Sequence, residues 1–371
     1  MPKISGWVVL FQKVRPESAC KNPKKLKGPP KEIPWDYYMQ FRCLINTVDT
    51  HTLGEPTRVI TGGIGPIPGQ NMQEKKAWFA KNRDYIRRML MFEPRGHQDM
   101  FGAVITEPMS CKADIGVIFM DGGGYLDMCG HGSMGVVTVI LETGIIPISK
   151  KDVEKTISLD TPAGIIMARA KLKKGRATQV TIRNVPSFLC ASLTLNIEGF
   201  KNLPITIAYG GNYFALVKAE DLGLNITLSH LKQIKAYGLK IKEKLNSEEE
   251  ILNPISGKQV KVELVEFYHE GNPPRNVVVF GAGQIDRSPC GTGTCAKMAY
   301  LHAQNKLQPG SFYTYESILG NKFQGTIVKE THLRKVMAII PEVTGSAHIT
   351  GFQNFVASDD DPYNTGFSIL E

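Results

Sequence analysis

The chain has 371 residues, 42% of them hydrophobic and 21% charged, which is the mixture of a globular protein able to bury a sizeable core. No apolar run reaches the ~18 residues of a membrane span, and the 7 Cys are scattered without a CxxC pair, which excludes a disulfide scaffold and argues against structural zinc. The net charge of +9 does not indicate nucleic acid, because residues 1–40 carry eight Lys or Arg against Glu17, Glu32 and Asp36 and so supply +5 of it.

Within residues 1–40, Lys21, Lys24, Lys25, Lys27 and Lys31 lie among Pro23, Pro29, Pro30 and Pro34. That composition predicts an irregular basic N-terminal extension. The apolar stretch Trp7 to Phe11 is shorter than the ~7 to 15 residues of a signal-peptide core, so a cytoplasmic location is expected. The folded body is expected to start near Phe41, with a short strand through Cys43, Ile45 and Val48 and then a loop from Asp49 to Pro56. Gln73 to Met91 reads as a helix with one charged face. Short runs of high β propensity follow at Ala103 to Ile105, Gly116 to Phe119, Ile165 to Ala168, Val180 to Ile182, Ile205 to Ala208, Phe214 to Val217 and Asn276 to Phe280. Further helices are expected at Ser133 to Glu142, Leu228 to Leu245 and Thr294 to Gln304. Strands clustered between single helices predict an α+β fold.

One pattern occurs twice, offset by 161 residues. Val117-Ile118-Phe119, a turn-rich loop and Cys129-Gly130-His131-Gly132-Ser133 are echoed by Val278-Val279-Phe280, a turn-rich loop and Cys290-Gly291-Thr292-Gly293-Thr294. Each copy reads as strand, loop and helix start, so the chain is expected to hold two homologous domains facing across a cleft, each presenting one thiol. A Cys at a helix start lies beside unpaired N–H groups and the positive dipole end, which predicts a lowered thiol pKa. The same N–H groups suit a carboxylate. Two such starts facing each other would clamp one carboxylate and place a sulfur on each face of the adjacent carbon, which is the layout of a two-base proton exchanger.

Other readings of these residues are plainer. Cys43, Cys111 and Cys190 read as small buried hydrophobes, and Cys295 points elsewhere on the first turn of its helix. A redox disulfide between Cys129 and Cys290 is a rival, and His131 alone reads as a capping or solvated residue. Neither Gly62 to Gly69 nor Gly291 to Thr294 carries the Lys-Ser/Thr ending of a phosphate loop, and His51, His97 and His131 lack metal-ligand spacing.

At MCGHG (Met128 to Gly132) and DRSPCGTGT (Asp286 to Thr294) the sequence resembles the proline racemase family. The resemblance extends from about Phe41 to the C-terminus, through EPRGHQDMFGA (Glu93 to Ala103), DTPAG (Asp160 to Gly164), YGGNYFALV (Tyr209 to Val217) and YESILG (Tyr315 to Gly320). It implies two pseudosymmetric α+β domains of the diaminopimelate-epimerase type, each a curved antiparallel sheet around a central helix. The expected boundaries are a first domain at 41–165, rejoined by a segment at about 350–371, and a second at 166–349. It further implies Cys129 and Cys290 as catalytic thiols, His131 and Asp286 beside the substrate ammonium, and the N–H groups of Gly130, His131, Gly132, Gly291 and Thr292 on the substrate carboxylate. Gly132 stands where some proline racemases carry Asn.

The implied reaction interconverts L- and D-proline without metal or pyridoxal phosphate, in a homodimer that needs no nucleic acid or membrane partner. Trans-3-hydroxyproline dehydratases in the family carry Thr at the place of Cys290, so the Cys pair speaks against dehydration. A trans-4-hydroxy-L-proline 2-epimerase is the alternative substrate assignment, and an imino-acid-binding protein the non-enzymatic one. Phe101 and Phe280 match positions that enclose an unsubstituted pyrrolidine ring, against which a ring hydroxyl would go unpaired, favouring proline; alternatively, both simply fill the core.

Overall fold

A computed structural model describes residues 41–369, and the irregular extension expected over residues 1–40 lies outside the described residues. The first strand is longer than its sequence suggested. β1 (Cys43–Thr52) turns at Leu53 and Gly54 into β2 (Glu55–Gly62), so the loop expected from Asp49 to Pro56 is a hairpin. Asp49 is paired in register with Arg58, and their side chains form an ion pair at 2.9 Å, so the charge that reads as loop is satisfied inside the ladder. Leu53 and Gly54 both have positive φ, 49° and 99°, the backbone that a tight hairpin turn requires.

The first half continues with α1 (Met72–Met91), β3 (Phe101–Thr106), β4 (Ile115–Asp121), β5 (Tyr125–Leu126), α2 (Gly130–Glu142), β6 (Glu154–Thr161), β7 (Gly164–Lys173) and β8 (Arg176–Arg183). The second contains β9 (Phe188–Ile197), β10 (Phe200–Tyr209), β11 (Tyr213–Lys218), α3 (Leu231–Glu248), β12 (Leu264–His269), β13 (Arg275–Phe280), β14 (Gln284–Ile285), α4 (Gly291–Ala303), β15 (Phe312–Glu316), β16 (Lys322–Leu333) and β17 (Val336–Gly345). The last strand is β18 (Ala347–Ala357). Leu228–His230 is a 3-10 turn preceding α3 rather than its first turn.

The ladders repeat. β2 runs parallel to β3 as β11 does to β12, β3 antiparallel to β4 as β12 to β13, and β4 parallel to β6 as β13 to β15. β18 pairs antiparallel with β1 as β9 does with β10. The C-terminal strand therefore stands in the first half where β9 stands in the second, and β8 joins β17 antiparallel between the halves. Position 165/166 falls at the start of β7, which pairs with both β6 and β8.

Sequence period decides which face is buried. In β7, Ile166, Ala168, Ala170 and Leu172 are buried, while Ile165, Met167, Arg169 and Lys171 alternate outward, the pattern of a sheet covered on one side. α2 carries no charge before Glu142 and is buried from Gly130 to Leu141. It packs on β1, β2, β3, β7, β8 and β18, as α4 packs on β9, β10, β11, β16 and β17. Each buried Val, Leu or Ile contributes roughly 1.5–3 kcal/mol, so the two buried helices are fixed supports for whatever their N-termini hold. α1 and α3 cover the sheet from outside.

Candidate active site

Both helices that follow the repeated motif begin three residues earlier than the sequence suggested, at Gly130 and Gly291, which makes Cys129 and Cys290 their N-caps. The sulfur of Cys129 accepts the Gly132 N–H at 3.2 Å and that of Cys290 the Gly293 N–H at 3.4 Å. Gly132 therefore gives its N–H to a thiol. The helix starts meet through backbone alone: a Cβ on Gly130 would stand 2.6 Å from the Gly291 Cα, and one on Gly291 would stand 2.7 Å from the Gly130 Cα. Only glycine permits that approach.

The loop before each cysteine is clamped by an Asn. Asn212 donates to the Met128 carbonyl at 2.7 Å, and Asn276 to the Pro289 carbonyl at 2.8 Å. Cys129 is extended (φ −144°), whereas Cys290 has φ +54°, a left-handed conformation costing a non-glycine residue roughly 1–3 kcal/mol. Ser288 helps hold it there. Its hydroxyl accepts the Cys290 N–H at 3.1 Å, and its own N–H donates to Asp286 at 2.8 Å.

The thiols share one small cavity of about 20 Å³, far below the ~300 Å³ at which drug-sized pockets begin. Its walls include Phe101, Phe280, His131, Asp286, Asn212 and Thr292. Phe101 meets His131 edge to face at 4.6 Å between centroids and Phe280 at 6.4 Å, so the two phenyl rings close an apolar side. The polar side is His131, with Nδ1 3.3 Å from the Cys129 sulfur and 3.8 Å from Asp286 Oδ2, and Thr292, with Oγ1 3.7 Å from the Cys290 sulfur. Cys129, His131, Asp286, Cys290, Thr292, Phe101 and Phe280 thus converge. Gly130 and Gly291 lie in the seam between the helix starts. Sequence reasoning missed Asn212, whose only signal was its place in the YGGNYFALV motif, after Gly211 at φ +106°.

The lowered thiol pKa expected from the helix dipoles is not found. Burial pushes both thiols well up; the Asp286 charge adds to this at each, with Glu55 and Asp121 acting further on Cys129 and Glu266 on Cys290. The Gly132 and Gly293 N–H groups pull in the expected direction but are outweighed, since one weak N–H···S contact offsets little of the cost of burying a charge. Burial lowers the His131 pKa against the opposing Asp286 charge. Cys129 and Cys290 are free thiols, not a disulfide. The expectation that Cys43, Cys111 and Cys190 are buried also fails, since Cys111 is exposed and the other two are half-buried, whereas Cys295 is buried. Among the described residues, no helix is long and apolar enough to cross a membrane.

The proline racemase family model matches residues 47–368. The chain is 44% identical over 334 residues to the proline racemase of Clostridioides difficile, covering 89% of this chain and 99% of that protein. It is 40% identical over 333 residues to a 4-hydroxyproline 2-epimerase of Streptosporangium roseum, with 89% and 99% covered. In structure it resembles a hydroxyproline epimerase from Agrobacterium vitis with bound trans-4-hydroxy-L-proline, with a TM-score of 0.83 at 28% identity, covering 90% of this chain and 98% of that one.

Proposed function

Because this chain belongs to the proline racemase family of isomerases, we propose that it interconverts L- and D-proline by passing the α-proton between Cys129 and Cys290 with no cofactor or metal. One observation carries the reading: two cysteines cap two helices that meet at Gly130 and Gly291 and open into one small cavity. One sulfur, as thiolate, takes the α-proton, and the electron pair moves toward the carboxylate. The other, as thiol, delivers a proton to the opposite face. Configuration inverts, and the two sulfurs have exchanged their protonation states.

The substrate carboxylate is read as lying on N–H groups at the two helix starts, at Gly130, His131, Gly291 and Thr292, where positive dipole ends stabilise the charge that builds in the transition state. The ring ammonium is read as facing Asp286 and His131. Its arrival has a second effect: a cation beside Asp286 offsets one of the charges that hold both thiols up, so substrate binding itself favours the thiolate. Phe101 and Phe280 form the wall for the ring methylenes.

A ring hydroxyl against these phenyl groups would lose roughly 1–3 kcal/mol of hydrogen bonding, which is why proline is preferred here over 4-hydroxyproline. We further read the body as two domains of the diaminopimelate-epimerase type, assembled as a homodimer. Chiral chromatography of purified protein with L-proline and with trans-4-hydroxy-L-proline, in parallel, tests the assignment. Faster turnover of the hydroxylated substrate would make the protein a 4-hydroxyproline 2-epimerase, and binding of either without turnover would leave an imino-acid-binding protein.

A further inference from the structure

We propose that Glu266 is a positioning residue for Cys290, whose carboxylate, when charged, holds the proton on that member of the cysteine pair and not on Cys129. The inference rests on the reading of Cys290 as a proton-exchanging group. Glu266 lies on β12, is 0% exposed and does not line the cleft. One carboxyl oxygen, Oε1, accepts the Tyr315 hydroxyl at 2.6 Å. The other, Oε2, is buried without a hydrogen-bond partner. It points into the first turn of α4: a Cβ built on Gly293 would stand 2.3 Å from Glu266 Oε2 and 3.2 Å from the Cys290 sulfur, so oxygen and sulfur lie within about 5.5 Å of each other. Gly293 is also the residue whose N–H caps that sulfur.

The first half has no acid at the matching place in its ladder, and the buried acid that acts on Cys129, Glu55, lies on β2 instead. Glu266 pairs with Val278 on β13 as Ile105 pairs with Val117 on β4, so an apolar side chain occupies the place that in the second half holds an acid. Cys129 is faced instead by Asp286, Glu55 and Asp121. Around Glu266 stand Tyr315 and Tyr313 on β15, Asn276 on β13, Asp286, and Lys297 and the buried Cys295 on α4. Lys297 is buried, its amine lies 3.0 Å over the Tyr268 ring, and Glu270 is 3.7 Å from it. Burial pushes the Glu266 carboxyl up to about 7 against the Tyr315 hydrogen bond and the Lys297 charge. The group therefore changes charge near neutral pH. Protonated, it leaves Cys290 alone; ionised, it opposes a second negative charge close by. A unit charge at this separation, at an effective dielectric of ~20, shifts a thiol equilibrium by on the order of a hundredfold.

The test is Glu266→Gln, read as the rate of iodoacetamide alkylation of each cysteine, resolved by peptide mass spectrometry between about pH 6 and 8.5 without substrate. Near pH 6 the variant should match wild type, because both side chains are neutral. Near pH 8.5 Cys290 should react at least about tenfold faster in the variant, with Cys129 within about twofold of wild type. A Cys290 rate ratio that stays flat with pH, or an equal rise at both cysteines, overturns the proposal. Should Glu266→Gln fail to fold, Tyr315→Phe keeps the volume and removes the hydrogen bond that favours the ionised carboxyl; it should also speed Cys290 but not Cys129 above neutral pH, and no change there refutes the idea. Alkylation needs no turnover, so the outcome is independent of whether proline is the substrate.

Discussion

Gly130→Ala tests whether the two helix starts must touch for proton exchange to occur. The added methyl would stand 2.6 Å from the Gly291 Cα and 3.1 Å from its carbonyl carbon, whereas non-bonded carbons settle at about 3.5–4.0 Å. Backbone cannot swing aside as a side-chain tip can, so the N-termini of α2 and α4 must separate by about 1 Å. Cys129 and Cys290 cap those helices and would move with them. A misplacement of that size costs about a hundredfold in rate when reacting atoms must be held in line, and the overpacking costs roughly 1–3 kcal/mol of stability. Gly291→Ala should behave alike, because its methyl would stand 2.7 Å from the Gly130 Cα. The assay is kcat by chiral chromatography at a temperature where circular dichroism shows the variant fully folded. A folded Gly130→Ala protein keeping more than about half of wild-type kcat would refute the argument that backbone contact sets the sulfur positions.

Cys129→Ser and Cys290→Ser should each lose about 10²–10⁴-fold in kcat by polarimetry, and substantial activity in either single variant would rule out the two-thiol exchange. Phe280→Ser should shift relative kcat/KM from proline toward trans-4-hydroxy-L-proline, since it removes apolar contact and supplies a hydroxyl partner; an unchanged ratio in a folded variant would make Phe280 a core residue without a part in selectivity. Burial, aided by the Asp127 charge, raises the Glu263 carboxyl to about 7 from its ordinary 4.5, so the folded state keeps a proton that the unfolded state releases. That contribution to stability is lost as pH rises from about 4.5 through about 7, at up to roughly 1.4 kcal/mol per unit. Thermal unfolding of Glu263→Gln should therefore show a smaller fall in Tm between about pH 5 and 8 than wild type does, and parallel curves would contradict it.

The repeat was legible because it is carried by residues that backbone geometry restricts. Gly130 and Gly291 are held by close approach, and the cysteines by their place at a helix start. Strand cores such as Val117 to Phe119 and Val278 to Phe280 showed as apolar runs because β4 and β13 are covered on both faces. Three features were not legible. The β1–β2 hairpin hides Asp49 inside a cross-strand ion pair, and no local signal announces its partner nine residues on. The pairing of β18 with β1 joins the two ends of the described chain; the family resemblance implied a C-terminal segment rejoining the first domain, but sequence period says nothing about which strand receives another. Thiol acidity failed for a different reason: the helix start is a local property, but burial and the charges of Asp286, Glu55 and Glu266 arrive from distant segments.

Departures from twofold repetition are as informative as the repetition. The proposed inversion needs equivalent groups on the two faces of a carbon, and the cysteines and their capping N–H groups are repeated in both copies, whereas both Asn clamps come from the second half. The loops that lead to the cysteines differ as well: Phe119 pairs with Leu126 whereas Phe280 pairs with Gln284, and Asp286 follows that shorter turn in the second copy only. Likewise His131 answers to Thr292, and the extended Cys129 to a Cys290 at positive φ. The thiols and their capping N–H groups are thus common to both copies, while their surroundings differ: His131 lies beside one sulfur, Thr292 beside the other, and Glu266 behind Cys290 alone of the pair.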